Sequence, residues 1–124
     1  MAQSFGKAEK LKSRKWIEQI FAAGKAEKAF PVLAIFAPFE AKDEVAVKAG
    51  FSVSKRKMKR AVDRNLIKRR MREAYRLNKS KLKNVAEPGQ TLGVMFIYMP
   101  SKALDFNSIN QAFERLLEKL NKEQ

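Results

Sequence analysis

Residues 55–83 read KRKMKRAVDRNLIKRRMREAYRLNKSKLK. The stretch holds fourteen Lys or Arg against two acids, Asp63 and Glu73, a net charge of +12, while the whole chain of 124 residues carries +14. Nearly all the excess charge therefore sits on under a quarter of the chain. Like charges at helical spacing repel and destabilise a helix. A sequence that tolerates them needs their field for something polyanionic. Residues 60–79 are dominated by Ala, Leu, Met, Arg, Lys and Glu, with no Gly or Pro, which predicts a helix. At helical spacing, Ile67, Met71, Ala74 and Tyr75 share one face. Asn65, Arg69, Arg72 and Arg76 share the opposite face, flanked by Arg64, Lys68 and Lys79. One face can bury against a core while the other offers a row of guanidinium groups, whose planar forks hold two phosphate oxygens at once. A solvated basic face without a partner is the bland alternative. The charge density, the Arg bias and the single Asn inside the stripe weigh against it.

Upstream of the helix, residues 45–54 alternate. Val45, Val47, Ala49, Phe51 and Val53 point one way, and Ala46, Lys48, Gly50, Ser52 and Ser54 the other. The second face is small and polar: either a solvated side of a sheet or a floor for an extended polyanion. Residues 30–39, FPVLAIFAPF, predict a strand apolar on both faces with a Pro near each end. Further back, Ser13 caps a helix that Gly24 stops. Its stripe of Trp16, Ile17, Ile20 and Phe21 packs a core, although aromatic rings beside a nucleic-acid site also stack on unpaired bases. Residues 1–12 read as a flexible basic arm. Downstream, Glu87-Pro88-Gly89 is a turn, and residues 91–99, TLGVMFIYM, form a third strand that Pro100 ends. Asp105, Asn107 and Ser108 are candidate caps for a last helix, with Ile109, Ala112, Phe113, Leu116, Leu117 and Leu120 at core spacing. The order is helix, strand, strand, helix, strand, helix. It predicts a single α+β domain over residues 1–124, built on one small mixed sheet.

The chain contains no Cys and no His. Disulfides, thiolate metal sites and the usual general base are therefore excluded. No signal peptide or membrane-length apolar run is visible, and the expectation is a soluble cytoplasmic protein. A pI near 10.3 points to nucleic acid first and an anionic membrane surface second. The acids are scattered, with no HExxH, no phosphate-binding glycine loop and no paired carboxylates on an evident catalytic face. Asp63 and Glu73 could hold a magnesium ion near phosphates, but pairing with neighbouring Arg is the favoured reading. A DNA reader would place two helices joined by a short turn before the basic helix. Strands precede it instead. A stand-alone metal nuclease lacks its cluster. The residues describe a binder of nucleic acid rather than a self-sufficient catalyst.

Residues 60–75, RAVDRNLIKRRMREAY, strongly resemble the signature of the bacterial ribonuclease P protein subunit family, approximately x-A-x-x-R-N-R-x-K-R-x-x-R-E-x-[FY]. Ala61, Arg64, Asn65, Lys68, Arg69, Arg72, Glu73 and Tyr75 match, whereas Leu66 replaces a residue that is usually basic. Residues 50–57, GFSVSKRK, resemble the family's G-[LF]-[ST]-[VI]-[SA]-K-[KR] strand, and residues 10–25, KLKSRKWIEQIFAAGK, its first helix and following turn. The resemblance implies an α/β sandwich similar to the second domain of ribosomal protein S5, with a left-handed crossover. It implies two partners, the ribonuclease P RNA subunit and the 5′ leader of precursor tRNA, and a monomer within the holoenzyme. Cleavage of the leader is then carried out by the RNA, with magnesium held mainly by that RNA and none bound by the protein alone, so the protein has no catalytic residue of its own. RNA contacts fall to Arg60, Arg64, Asn65, Lys68, Arg69, Arg72 and Arg76. The leader cleft falls to Ile17 and Phe21 on the first helix, to Val32, Ala34 and Phe36 on the first predicted strand, and to Gly50, Ser52, Ser54, Lys55 and Arg56. Ile17 departs from the aromatic residue often found there. The alternative is a ribosomal or general RNA-binding protein without a role in cleavage.

Overall fold

In the computed structural model, which describes residues 6, 9–82 and 85–122, Ser13 caps helix α1 (Arg14–Ala23) by accepting a hydrogen bond from the Trp16 amide at 3.3 Å. Gly24 ends that helix for a packing reason. A Cβ there would lie 2.5 Å from the Ile20 carbonyl oxygen and 2.9 Å from Ile35 Cγ2, whereas its φ of −73° suits any residue. Strand β1 (Lys25–Ala29) follows at once, and the sequence reading missed it. Its composition, KAEKA, contains no β-branched or aromatic residue. Tertiary pairing overrides that weak propensity. β1 forms an antiparallel hairpin with β2 (Val32–Glu40), from Ala29 opposite Val32 to Lys25 opposite Phe36, across a turn that contains a cis Phe30–Pro31 bond. Its exposed lysines suit an outer strand that must not pair with other chains.

Strands β3 (Val47–Val53) and β4 (Gln90–Tyr98) complete a mixed sheet in the order β1-β2-β4-β3. β4 runs antiparallel to β2 and parallel to β3. A parallel neighbour requires a long crossover, and helix α2 (Ala61–Asn78) supplies it. The return to β4 passes through the turn at Pro88 and Gly89. Gly89 has φ +83° and the Gln90 amide donates to the Glu87 carbonyl at 2.9 Å, a turn that needs Gly at its third position. Helix α3 (Phe106–Lys122) starts at Asp105, whose Oδ1 accepts from the Ser108 amide at 2.9 Å.

The sheet separates two cores. On one face, Val32, Ala34, Phe36, Ala49, Val53, Leu92, Val94, Phe96 and Tyr98 pack against α2 and α3. The Phe96 and Phe113 rings there lie 4.7 Å apart. On the other face, Leu11, Ile20, Phe39 and Met95 form a smaller core with Trp16, Ile17, Ile35 and Ala37. Leu11 corrects the expectation of a loose arm. Its amide donates to the Ala49 carbonyl at 3.0 Å, Lys10 bridges to the β3 edge beside it, and Glu9 pairs with Lys79 at 2.7 Å. From Glu9 onward the segment is docked, because the smaller core needs the Leu11 side chain. The rest of the expected arm, residues 1–5, 7 and 8, lies outside the described residues. No helix among the described residues is long and apolar enough to cross a membrane.

Candidate nucleic-acid interface

Helix α2 divides as its periodicity predicts. Ile67, Met71, Ala74 and Tyr75 are buried. Asn65, Arg69 and Arg72 are exposed, and their side chains enter no hydrogen bond or ion pair among the described residues. Of the other basic groups of the helix, Arg64, Arg70 and Arg76 are committed. Arg76 Nε donates to Glu73 Oε2 at 3.0 Å. That hydrogen bond holds the Glu73 carboxyl below its ordinary range and raises the Arg76 guanidinium. Arg64 Nη1 donates to the carbonyls of Met58 at 2.8 Å and Lys59 at 2.7 Å. It thereby fixes the entry to a helix whose N-cap, Arg60, offers no side-chain cap. Arg60 is itself exposed, 4.0 Å from Asp63. Lys68 is half-buried and unpaired among the described residues. Arg70 Nη1 reaches the Leu104 carbonyl at 2.6 Å and ties α2 to the start of α3. No three acidic side chains converge among the described residues, and Asp63 and Glu73 each stand beside an arginine.

The sheet face toward α1 needs a correction. Val32, Ala34 and Phe36, expected in the leader cleft, are 0, 0 and 2% exposed and belong to the opposite core under α2 and α3. β2 is apolar on both faces, so its composition cannot choose a face, and a shift of one residue exchanges the two. The residues turned toward α1 are Leu33, Ile35 and Ala37, all partly exposed. The register aligns Leu33 of β2 with Ile97 of β4 and Ser52 of β3 in one row across the sheet. α1 packs on the next rows, at Ile35, Ala37, Phe39 and Met95, while Leu33, Ile97 and Ser52 stay partly exposed. Gly50 belongs to the same face but lies against Met95 and Leu11. Beyond Ser52 the chain turns at Ser54, whose Oγ accepts from the Arg56 amide at 3.2 Å, and Lys57 Nζ anchors the turn on the Met99 carbonyl at 2.8 Å. Lys55 and Arg56 are left exposed at that end of the row. On α1, Ile17 packs against the smaller core and Phe21 is 50% exposed.

Lys10 and Lys12 were not expected in the site. Lys10 shares one concavity with Arg69, Arg72, Glu73 and Arg76. A second concavity joins Lys10, Leu11, Lys12 and Gly50 to Arg72. The docked segment therefore carries its lysines up to the arginine stripe. A single Leu between lysines was the one sign in the sequence that this segment docks.

Comparison with known proteins gives a consistent result. The profile of the Ribonuclease P family matches residues 5–121. The ribonuclease P protein component of Porphyromonas gingivalis is 34% identical over 113 residues, covering 90% of this chain and 82% of that protein. The ribonuclease P protein component of Chlorobaculum tepidum is 38% identical over 79 residues, covering 61% of this chain and 51% of that protein. Among solved structures, the RNase P protein of Staphylococcus aureus has a TM-score of 0.70 at 24% identity, covering 91% of this chain and 95% of that one. The RNase P protein of Thermotoga maritima has a TM-score of 0.69 at 22% identity, covering 90% and 96%. At these identities the structural likeness speaks for the fold alone.

Proposed function

Because the chain belongs to the ribonuclease P protein family, we propose that it is the RNA-binding subunit of a ribonuclease P holoenzyme and assists the RNA subunit in removing the 5′ leader from precursor tRNA. The observation that carries this reading is that the polar side of the family signature stands on the solvent face of α2, with Asn65, Arg69 and Arg72 exposed and uncommitted. A row of unpaired guanidinium groups is held in place by a buried opposite face, and such a row suits phosphates of folded RNA. The half-open row of Leu33, Ile97 and Ser52, with Phe21 exposed on α1 and Lys55 and Arg56 exposed beyond Ser52, suits an unpaired strand. Its apolar floor takes bases and its cationic rim takes phosphates. The chain has no His, and no group of three or more acidic side chains placed to hold a metal stands among its described residues. Magnesium is therefore assigned to the RNA partner, and the protein's part is to hold and orient RNA.

Holding the leader predicts that the assembled holoenzyme binds precursor tRNA more tightly than mature tRNA, and increasingly so as the leader lengthens. Equilibrium binding with a series of leader lengths tests this. Affinity independent of leader length contradicts the cleft assignment and leaves the general RNA-binding alternative.

A further inference from the structure

A third concavity, of about 240 Å³, lies at the start of α1 and is lined by Lys10, Lys12, Ser13, Trp16, Lys42 and Lys48 with Leu11. It brings four lysines from three places: the docked segment, the connection after β2, and β3. Lys10, Lys12 and Lys42 form no ion pair among the described residues. The acid next in sequence, Asp43, is already engaged by Lys48 at 2.9 Å, and this hydrogen bond holds its carboxyl below the ordinary range. The Trp16 wall is preformed: its ring stacks on Phe39 at 4.3 Å, nearly parallel, and the Lys48 ammonium sits 5.8 Å from its centroid. With the ring so occupied, the recognition groups are the ammonium groups. Three uncommitted ammonium groups at one wall raise the local concentration of anions there.

We propose that this pocket is a phosphate subsite for the backbone of an RNA strand, separate from the α2 stripe and continuous with it. The continuity comes from Lys10, which lines this pocket and both concavities that contain Arg72. A strand lying on Arg69 and Arg72 can cross Lys10 and deliver its next phosphates to Lys12 and Lys42. Lysine suits this role as a compact charge that neutralises backbone without reading bases. The proposal deepens the RNA-binding reading above and rests on it.

The test measures affinity for a bacterial ribonuclease P RNA across a salt series, with the parent protein and a Lys12→Gln/Lys42→Gln double variant. Both lysines are exposed, so the thermal midpoint should hold. Each lost phosphate contact should make the slope of log affinity against log salt shallower by about 0.7–0.9. A Lys12→Arg/Lys42→Arg variant, which keeps the charge, should keep the parent slope. A double Gln variant with the parent slope overturns the pocket. The broader reading fails separately, if the parent protein binds ribonuclease P RNA no better than an unrelated RNA of equal length. The slope comparison can be read on either RNA.

Discussion

Arg64 and Arg69 stand five residues apart in one signature, and the structure gives them different duties. Arg64 bonds two carbonyls of the approach to α2, whereas Arg69 reaches into solvent. Replacing Arg69 with Ala should therefore weaken RNA affinity with little change in thermal stability. Arg64→Ala should lower both, since two charge-assisted hydrogen bonds are lost at a cost of about 1–3 kcal/mol. Thermal unfolding and RNA titration on the same two variants decide this. A stable Arg64→Ala protein would show that its carbonyl bonds are incidental. Phe21 gives a second residue-level test. Its ring is half-exposed at 50%, and stacking on one base is worth about 1–3 kcal/mol. Phe21→Ala should reduce the preference for precursor over mature tRNA roughly tenfold, leaving mature-tRNA affinity and the melting temperature nearly unchanged. A variant that melts early with no change in the preference assigns the ring to the core. The sequence could name Phe21 but could not divide these roles, because helical periodicity places a side chain on a face and does not say what covers it.

Elements with a strong period were legible. α1, α2 and α3 follow their apolar stripes, and β3 follows its alternation. Where the period fails, so does the reading. β1 has no apolar rhythm and exists because β2 offers it an edge. β2 is apolar on both sides, and only its register with β4 decides that Leu33 rather than Ala34 faces α1. The buried stripe of α2 carries the helix. Ile67 and Met71 are both 0% exposed, so Ile67→Ala or Met71→Ala should cost on the order of 2–5 kcal/mol. The salt slope of RNA binding should stay that of the parent wherever the variant remains folded. Denaturant unfolding with parallel titrations checks both halves, and a changed slope would mean the two faces are not independent. The cap of α3 gives a pH test. The hydrogen bonds from Ser108 hold the Asp105 carboxyl below its ordinary value of 3.8. A depressed carboxylate contributes stability that is fully present above the unfolded value and is lost as pH falls through the folded one. Asp105→Asn should therefore lose that contribution at neutral pH and flatten the acid limb of the stability curve below about pH 4, so that parent and variant converge in acid. An unchanged acid limb would remove Asp105 from the account.

At the scale of the whole molecule, one sheet keeps two surfaces apart. α2 and α3 fill one face and support the arginine stripe. α1 covers only part of the other face and leaves a half-open row beside Lys55 and Arg56. The docked segment from Glu9 to Lys12 joins the two surfaces around the β3 edge, so its lysines enter the site through tertiary structure. Local sequence could not announce that: the segment's charge was visible, but its attachment depends on Leu11 finding a core made by α1, β2 and β4. The signature on α2, by contrast, was readable at once, because its charge density and its buried face are both written within one helix. The central claim is that this protein works through an RNA partner. Reconstitution tests it most directly: the purified protein, a bacterial ribonuclease P RNA, and both together are assayed on precursor tRNA at low magnesium. The account predicts cleavage at the 5′ end of the mature tRNA only when protein and RNA are combined. Failure of the protein to raise cleavage by the RNA, or leader removal by rigorously RNA-free protein alone, would contradict it.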